Sequence, residues 1–170
     1  GKEEGILAAS GVLMSWPNAN GIVCDIGGSS LELVSLKEGK IKHSQSFELG
    51  PLALDDFQTP VKHIIIAEKL IKTKERFPNF VRDFYLVGGC WRAIARIHMS
   101  RCRYPLKVLQ GYKITAKDLN ETLDFITCTN ISVIAKITSS SHERLKLLPN
   151  ACEVLRVLIK KFQPKYILFS

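Results

Sequence analysis

Residues 21–34 decide the fold, and they read Gly21-Ile22-Val23-Cys24-Asp25-Ile26-Gly27-Gly28-Ser29-Ser30-Leu31-Glu32-Leu33-Val34. Two apolar segments predict two β-strands, and the glycines and serines between them predict a tight turn. Glycine has no Cβ and tolerates positive φ, so such a turn can direct several backbone N–H groups at one anion. Asp25 lies where the first strand ends, and its carboxylate suits Mg²⁺ or a water molecule. The stretch therefore predicts a phosphate site, distinct from the Walker loop with its lysine and following helix.

Length and composition limit the class of protein. The chain has 170 residues, of which 46% are hydrophobic, and this allows one domain with a sizeable core. No apolar run is long enough to span a bilayer. The five cysteines are scattered without a C-x-x-C pair, a pattern that favours free thiols in a reducing cytoplasm.

The charge of the chain is strongly positive. Lys and Arg number 24 against 16 Asp and Glu, which gives a formal net charge of +8 at pH 7. The basic residues are spread along the sequence, except for a denser stretch over residues 92–107. Nucleic acid, an anionic polymer or an acidic membrane could each match this charge, and so could a solvated surface without a specific partner.

Hydrophobic periodicity predicts an α/β fold with a mixed sheet and the element order βββαβα…αβ. Proline, glycine and asparagine clusters separate the segments. Thr115 followed by Asp118 predicts a capping box at the start of one helix. The predicted helices cover residues 4–15, 60–76, 90–100, 116–127 and 149–162, and the predicted strands cover 21–25, 31–36, 41–48, 83–87 and 165–169.

Four segments resemble, in order and spacing, the exopolyphosphatase/guanosine pentaphosphate phosphatase family of the actin-like superfamily. The turn after the first strand is similar to that family's Asp-x-Gly-Gly-Gly-Ser-x-Glu loop, and the first residues are similar to its Gly-x-Glu-Glu-Ala segment. Together the matches extend over nearly the whole chain. The segments are Gly1-Lys2-Glu3-Glu4-Gly5, Asp25-Ile26-Gly27-Gly28-Ser29-Ser30-Leu31-Glu32, Leu86-Val87-Gly88-Gly89-Cys90-Trp91-Arg92-Ala93-Ile94-Ala95 and Leu147-Leu148-Pro149-Asn150-Ala151.

The resemblance implies a ribonuclease-H-like fold and a two-lobe enzyme whose active site lies between the lobes. Residues 1–170 would form the second lobe as a single domain. The last predicted strand stops at Ser170 without a following loop, so we expect the chain to be a fragment of a longer protein. The missing N-terminal lobe would carry another phosphate loop, and we therefore expect the fragment alone to be nearly inactive.

The resemblance also implies roles for individual residues. Glu4 would be the catalytic base that orients or deprotonates the attacking water. Asp25 would hold Mg²⁺, and Glu32 would face the same pocket and assist with the metal or the water. The phosphate would be bound by two glycine turns and an arginine. The first turn would donate backbone amides, and the arginine follows the second turn. These phosphate-binding residues are Gly27, Gly28, Ser29, Ser30, Gly88, Gly89 and Arg92.

Several positions depart from the family pattern. Ser29 replaces the usual glycine, which places a Cβ in the loop. Gly5-Ile6 replaces the common Ala-Arg and removes a basic residue near Glu4. Cys90 and Asn150 stand where Thr or Ala and Gly are frequent. These departures leave the class of reaction unchanged and bear on efficiency and substrate preference.

The function implied is removal of the terminal phosphate from inorganic polyphosphate or from guanosine pentaphosphate, with Mg²⁺ as cofactor, in the cytoplasm. The expected partners are the missing lobe and a second copy in a full-length homodimer, with neither membrane nor nucleic acid. Two other functions stay open. One is a lobe of an actin-like ATP-dependent kinase, which would need an adenosine-binding segment. The other is a non-catalytic nucleic-acid-binding module, which would need basic residues interleaved with exposed aromatics.

Simpler explanations stay open for the same residues. Glu4 could be a solvated acid at a helix start, and Asp25 could be a turn former. The glycines at 88 and 89 could serve only close packing of a strand on a helix. We expect Arg96 and Arg101 to lie on a solvated helix face.

Overall fold

The computed structural model of the protein describes residues 1–71, 73, 76–138 and 145–170. Within these ranges lie six strands, six α-helices and one 3₁₀ turn. The strands are β1 (Gly21–Ile26), β2 (Leu31–Lys37), β3 (Lys40–Phe47), β4 (Asp83–Val87), β5 (Lys113–Thr115) and β6 (Tyr166–Phe169). The helices are α1 (Lys2–Ser15), α2 (Thr59–Ile71), α3 (Gly89–Arg101), α4 (Ala116–Cys128), α5 (Ile131–Thr138) and α6 (Leu148–Phe162), and the 3₁₀ turn is Pro51–Leu54.

All six strands form one mixed sheet in the order β3-β2-β1-β4-β6-β5. Strands β1, β4 and β6 are parallel, and β2 and β3 continue β1 as an antiparallel meander. Strand β5 pairs antiparallel with β6 at the other edge. This arrangement confirms the predicted mixed α/β fold. Because β1 and β4 are parallel neighbours, the turns that follow them meet at the same edge of the sheet.

The two faces of the sheet are covered unequally. Along β1, Ile22 and Cys24 enter a large core that includes residues of α2, α3, α4 and α6. Val23, between them, points to the opposite face and packs with Ala9 and Val12 of α1. Strand β1 is buried on both faces, as expected for a central strand. Side chains at the end of β1 are therefore assigned to a face by simple alternation.

The ends of several predicted elements differ from the structure. Helix α2 ends at Ile71 rather than at residue 76, and residues 72, 74 and 75 of the predicted helix lie outside the described residues. The capping box is confirmed: Asp118 N donates to Thr115 Oγ1 at 3.1 Å, and Thr115 N donates to Asp118 Oδ2 at 3.4 Å.

Two elements, β5 and α5, were not predicted. Strand β5 has only three residues, too few for an alternating pattern. Helix α5 is eight residues long, near the lower limit for recognising a helix from sequence, and its start is marked only by Asn130, whose Oδ1 accepts from Ser132 N at 2.8 Å.

The cysteines are unpaired, as their scattered spacing predicts, and the described helices contain no membrane span. All five cysteines are free, with Cys24 and Cys152 buried in the core. Among the described residues, every helix is too short or too polar to cross a membrane.

Candidate functional site

The turn between β1 and β2 is closed by its own backbone. Gly27 N donates to Ser30 O at 3.0 Å, so this amide is used inside the turn. The prediction that four amides, including that of Gly27, face a phosphate is therefore wrong for this residue. The amides of Gly28, Ser29 and Ser30 have no hydrogen-bond partner in the described part of the chain. Ser30 N lies against Gly50, so the amides of Gly28 and Ser29 are left for an anion.

Positive φ is not what this turn requires. Residues 27–30 are all described, and none of them has a positive φ. The expectation that glycine serves here for its conformational freedom is wrong, and Ser29 fits in place of the family's glycine without backbone strain. A Cβ at Gly28 would lie 3.1 Å from Leu52 Cδ1, a tight contact with the chain that packs beneath the turn.

The segment after β3 supports the turn from behind. Gly50 N donates to Ser29 O at 3.0 Å, and Leu52 N donates to Gly28 O at 2.9 Å. A Cβ at Gly50 would lie 2.4 Å from both Gly28 O and Ser29 C. Gly50 has an ordinary φ of −67°, so glycine is needed here for space alone. Sequence reasoning missed this residue because its partners, Ser29 and Gly28, are 21 and 22 positions away.

Asn150, one of the departures from the family pattern, holds this support in place. Its Nδ2 donates to Pro51 O at 2.9 Å and to Asp55 Oδ1 at 3.2 Å, and its Oδ1 accepts from Lys62 Nζ at 2.6 Å. The residue is only 4% exposed. Since buried amide hydrogen bonds stabilise neighbouring backbone, Asn150 links α6 to the 3₁₀ turn beneath the phosphate turn.

The second glycine turn follows β4 and needs its first glycine. Gly88 has a φ of +121°, which side chains rarely adopt. A Cβ there would lie 2.9 Å from Ile26 O and 3.2 Å from Asp25 Oδ1, so Gly88 touches the end of β1. Gly89 differs, because nothing lies within 4 Å of the position of its Cβ.

A cavity of about 530 Å³ opens between the two turns. It brings together Gly27, Gly28, Gly89 and Arg92 from the predicted phosphate-binding set. Arg96, expected on a solvated face, is exposed and also lines this cavity. Hydrophobic residues complete the wall: Ile26, Ala93, Leu145, Leu147 and Leu148. Two cations and a glycine turn around one recess suit a phosphate group.

The acidic residues lie on the opposite face of the sheet, beneath α1. Asp25 and Glu32 are directly paired across β1 and β2. Glu32 is 2% exposed, and its Oε1 accepts from Ser46 Oγ at 2.8 Å. Gly5 permits the close approach of α1, because a Cβ there would lie 3.0 Å from Glu32 Cβ.

Glu4 stands at the open end of this acidic group. Its side chain is 68% exposed, and its Oε2 lies 3.0 Å from the amino group of Gly1. The carboxylates of Glu32 and Glu4 are close enough to raise the pKa of Asp25.

The pKa of Asp25 is raised to about 6 from its ordinary 3.8. Burial is the main cause, followed by the negative charges of Glu32 and Glu4, and the Ile26 backbone N–H and Arg92 oppose the rise. Glu4 is paired with the Gly1 amino group, whereas no described cation forms an ion pair with Asp25 or Glu32. These two carboxylates therefore concentrate negative charge at the end of β1.

The profile of the Ppx/GppA phosphatase family matches residues 1–170. The chain belongs to the Ppx/GppA phosphatase family. This membership confirms the family resemblance drawn from the glycine turns. No curated protein matches the sequence.

Solved structures of Ppx/GppA proteins share the fold. An exopolyphosphatase from Cytophaga hutchinsonii aligns with a TM-score of 0.85 and 19% identity, over 98% of this chain and 58% of that chain. A Ppx/GppA enzyme from Aquifex aeolicus aligns with a TM-score of 0.81 and 20% identity, over 99% of this chain and 59% of that chain. The chain thus has the actin-like fold, and it spans less than two thirds of the length of these relatives.

A divalent cation fits the acidic group of this Ppx/GppA chain. The described residues contain no set of three acidic, His or Cys side chains arranged to hold a metal by themselves. Mg²⁺ usually takes only one or two carboxylates and completes its coordination with water and substrate phosphates. Burial and then the charges of Glu32 and Glu4 raise the pKa of Asp25, and a cation there would neutralise the negative charge of these carboxylates.

Asp25→Asn is expected to stabilise the fold above pH 6 in the absence of divalent cations. The folded state binds the Asp25 proton more tightly than the unfolded state, since the pKa is about 6 rather than 3.8. Wild-type stability therefore falls as pH rises from 3.8 to about 6, and the full penalty is present above that. The Tm of the variant minus that of the wild type, measured in EDTA, should rise across this range.

Asp56→Asn supplies the matched control, because Asp56 is an exposed acid outside the site. Its Tm should follow that of the wild type at every pH. A lower Tm for Asp25→Asn at neutral pH would mean that the Asp25 carboxylate stabilises the fold through the Ile26 amide.

Proposed function

We propose that this chain is the lobe of a phosphohydrolase that removes the terminal phosphate of inorganic polyphosphate or of guanosine pentaphosphate by attack of water. The observation that carries the proposal is the meeting of the two glycine turns at one cavity, with Asp25 at their junction and two more carboxylates behind it. Membership of a phosphatase family favours hydrolysis over transfer to an acceptor, as a kinase lobe would perform.

The terminal phosphate binds to the β1–β2 turn and to Arg92. The unpartnered amides of Gly28 and Ser29 donate to its oxygens, and the exposed Arg92 guanidinium at the cavity neutralises their charge. The turn amides are preorganised, because Gly50 and Leu52 fix the carbonyls of the turn on the other side. Preorganised donors supply much of the rate in phosphoryl transfer.

Asp25 and Glu32 would hold Mg²⁺, directly or through water, and the bound ion would supply positive charge to neutralise the transferred phosphoryl oxygens. Ser46 Oγ holds Glu32 Oε1 in place, so the second oxygen, Oε2, would face the metal or its water.

Glu4 is the general base. A water oxygen bonds to the terminal phosphorus, the bridging P–O bond breaks, and the water proton passes to the Glu4 carboxylate. The products are orthophosphate and a substrate shortened by one phosphate. The 68% exposure of the Glu4 side chain leaves it accessible to water on the outer side of α1.

The proposal extends to the rest of the protein. A second lobe supplies the other phosphate loop and closes the cleft, the full-length protein is a homodimer, and it works in the cytoplasm. The net charge of +8 serves the polyanionic substrate rather than nucleic acid or a membrane.

Orthophosphate release from long-chain polyphosphate and from guanosine pentaphosphate tests this function. The full-length protein is expected to release orthophosphate with Mg²⁺ at rates of typical enzymes, on the order of 10 s⁻¹. The 170-residue chain alone should be nearly inactive. Comparable turnover by the chain alone would contradict the need for a second lobe, and no release by the full-length protein from either substrate would contradict the function.

A further inference from the structure

A second cavity, of about 680 Å³, adjoins the first along α3. The two share Arg96, which lines both. Its wall combines three cations with an aromatic ring and an apolar floor, and it has no acidic residue among the lining side chains described. The lining residues used below are Arg96, Met99, Ser100, Arg103, Tyr104 and Lys107.

Cations line both cavities, and Arg96 lines both. Arg92 and Arg96 are four residues apart, so they lie on one face of α3. Arg103 lies just beyond the end of this helix and lines the second cavity. Within the described residues, none of the cations Arg92, Arg96, Arg103 and Lys107 has an ion pair. Unpaired cations in a recess attract anions more strongly than cations on a flat surface, because the low-dielectric walls focus the field.

Arg103 occupies a position that normally belongs to glycine. Helix α3 ends in a Schellman motif, in which Tyr104 N donates to Met99 O at 2.8 Å and Arg103 N donates to Ser100 O at 3.3 Å. The residue between these bonds must be left-handed, and Arg103 has a φ of +52°. A side chain retained in a disfavoured conformation is a reason to look for a function of that side chain. Arg103 lines the second cavity.

We propose that the second cavity is an anion subsite for phosphate groups remote from the reacting one, with Arg103 as a principal contact. This rests on the proposed function, since it assumes that the first cavity binds the reacting phosphate. The remote phosphates belong either to the continuing chain of polyphosphate or to the 3′-diphosphate of guanosine pentaphosphate. Both present the same chemistry to Arg96, Arg103 and Lys107.

Arg103→Gly in the full-length protein separates binding from folding. Glycine adopts the left-handed conformation freely, so the variant should keep the wild-type Tm or exceed it. Affinity for long-chain polyphosphate, measured by calorimetry with Mg²⁺, should fall about tenfold at low salt, and the slope of log K against log salt should decrease by about one. Affinity for pyrophosphate, too short to reach the second cavity, should not change.

Two variants serve as controls. Gln163→Gly replaces another left-handed residue, with φ of +44°, at the end of α6. Lys40→Gln removes a cation at the β2–β3 turn, at the other end of the sheet from the phosphate turn. Both should bind polyphosphate like the wild type. An equal loss of affinity in Lys40→Gln would mean that only net charge matters, and would overturn the subsite.

The outcomes distinguish this inference from the proposed function. If wild type and Arg103→Gly bind long-chain polyphosphate and guanosine pentaphosphate equally well, the subsite is refuted while pyrophosphate binding still supports the first cavity. If the wild type binds no pyrophosphate, the proposed function itself fails. A loss with polyphosphate alone assigns the subsite to the continuing chain, and a loss with the guanosine nucleotide alone assigns it to the 3′-diphosphate.

Discussion

Replacing Glu4 by glutamine in the full-length protein is expected to lower kcat roughly 10²–10⁴-fold, because a base that accepts the proton of water acts in the transition state. The change keeps the size of the side chain and removes its ability to take a proton. KM should remain within a few-fold of the wild type, since substrate phosphates are held by the glycine turns rather than by Glu4. Steady-state orthophosphate release measures both constants.

Glu3→Gln is the matched control for this experiment. Glu3 is the neighbouring acid in the first turn of α1 and is exposed like Glu4. Its loss should leave kcat near that of the wild type. If the two variants behave alike, the acids at the start of α1 serve only the helix dipole and solubility.

Gly50→Ala is expected to cost about 10²-fold in kcat/KM, although Gly50 touches no substrate, because small displacements of preorganised groups have effects of this size. The added Cβ would lie 2.4 Å from Gly28 O and Ser29 C and 2.5 Å from Ser30 N. No side chain can move to relieve these contacts, since all three atoms belong to the backbone. The phosphate turn must therefore shift, and its amides would no longer point at the phosphate.

The control for Gly50→Ala lies outside both cavities. Gly11→Ala adds an equal Cβ within α1, where nothing lies within 4 Å. This variant should keep most of the activity and gain slightly in stability, because alanine suits a helix interior better than glycine. Equal losses in both variants would show that the close packing of Gly50 is not what positions the turn.

The parts of the fold that could be predicted from sequence depend on neighbours along the chain. The strand–turn–strand over residues 21–34 is predicted by two apolar segments separated by glycines and serines. The capping box is predicted by the spacing of three residues between Thr115 and Asp118. The pairing of Asp25 with Glu32 could also have been found, because a hairpin centred on residues 28 and 29 places 25 opposite 32. These signals are local, and they were enough for the family and the fold.

The remainder of the site depends on contacts between distant segments. Asn150 reaches Pro51 and Asp55, which are 99 and 95 positions away, and no spacing rule connects them. Glycine is needed at position 50 because backbone atoms of the phosphate turn leave no space for a Cβ, and not because of its own backbone conformation. The prediction that Gly27 offers its amide to a phosphate failed for a local reason. The Gly27 amide donates to Ser30 O instead, and this hydrogen bond depends on which type of turn the four residues adopt.

The central claim is that water attacks the terminal phosphorus at this site. Hydrolysis of polyphosphate by the full-length protein in ¹⁸O-water, followed by mass analysis of the products, tests it directly. The account predicts that the label enters the released orthophosphate, and that Glu4→Gln slows its appearance without moving the label. Label found in the shortened chain instead, or orthophosphate released without label, would contradict the account.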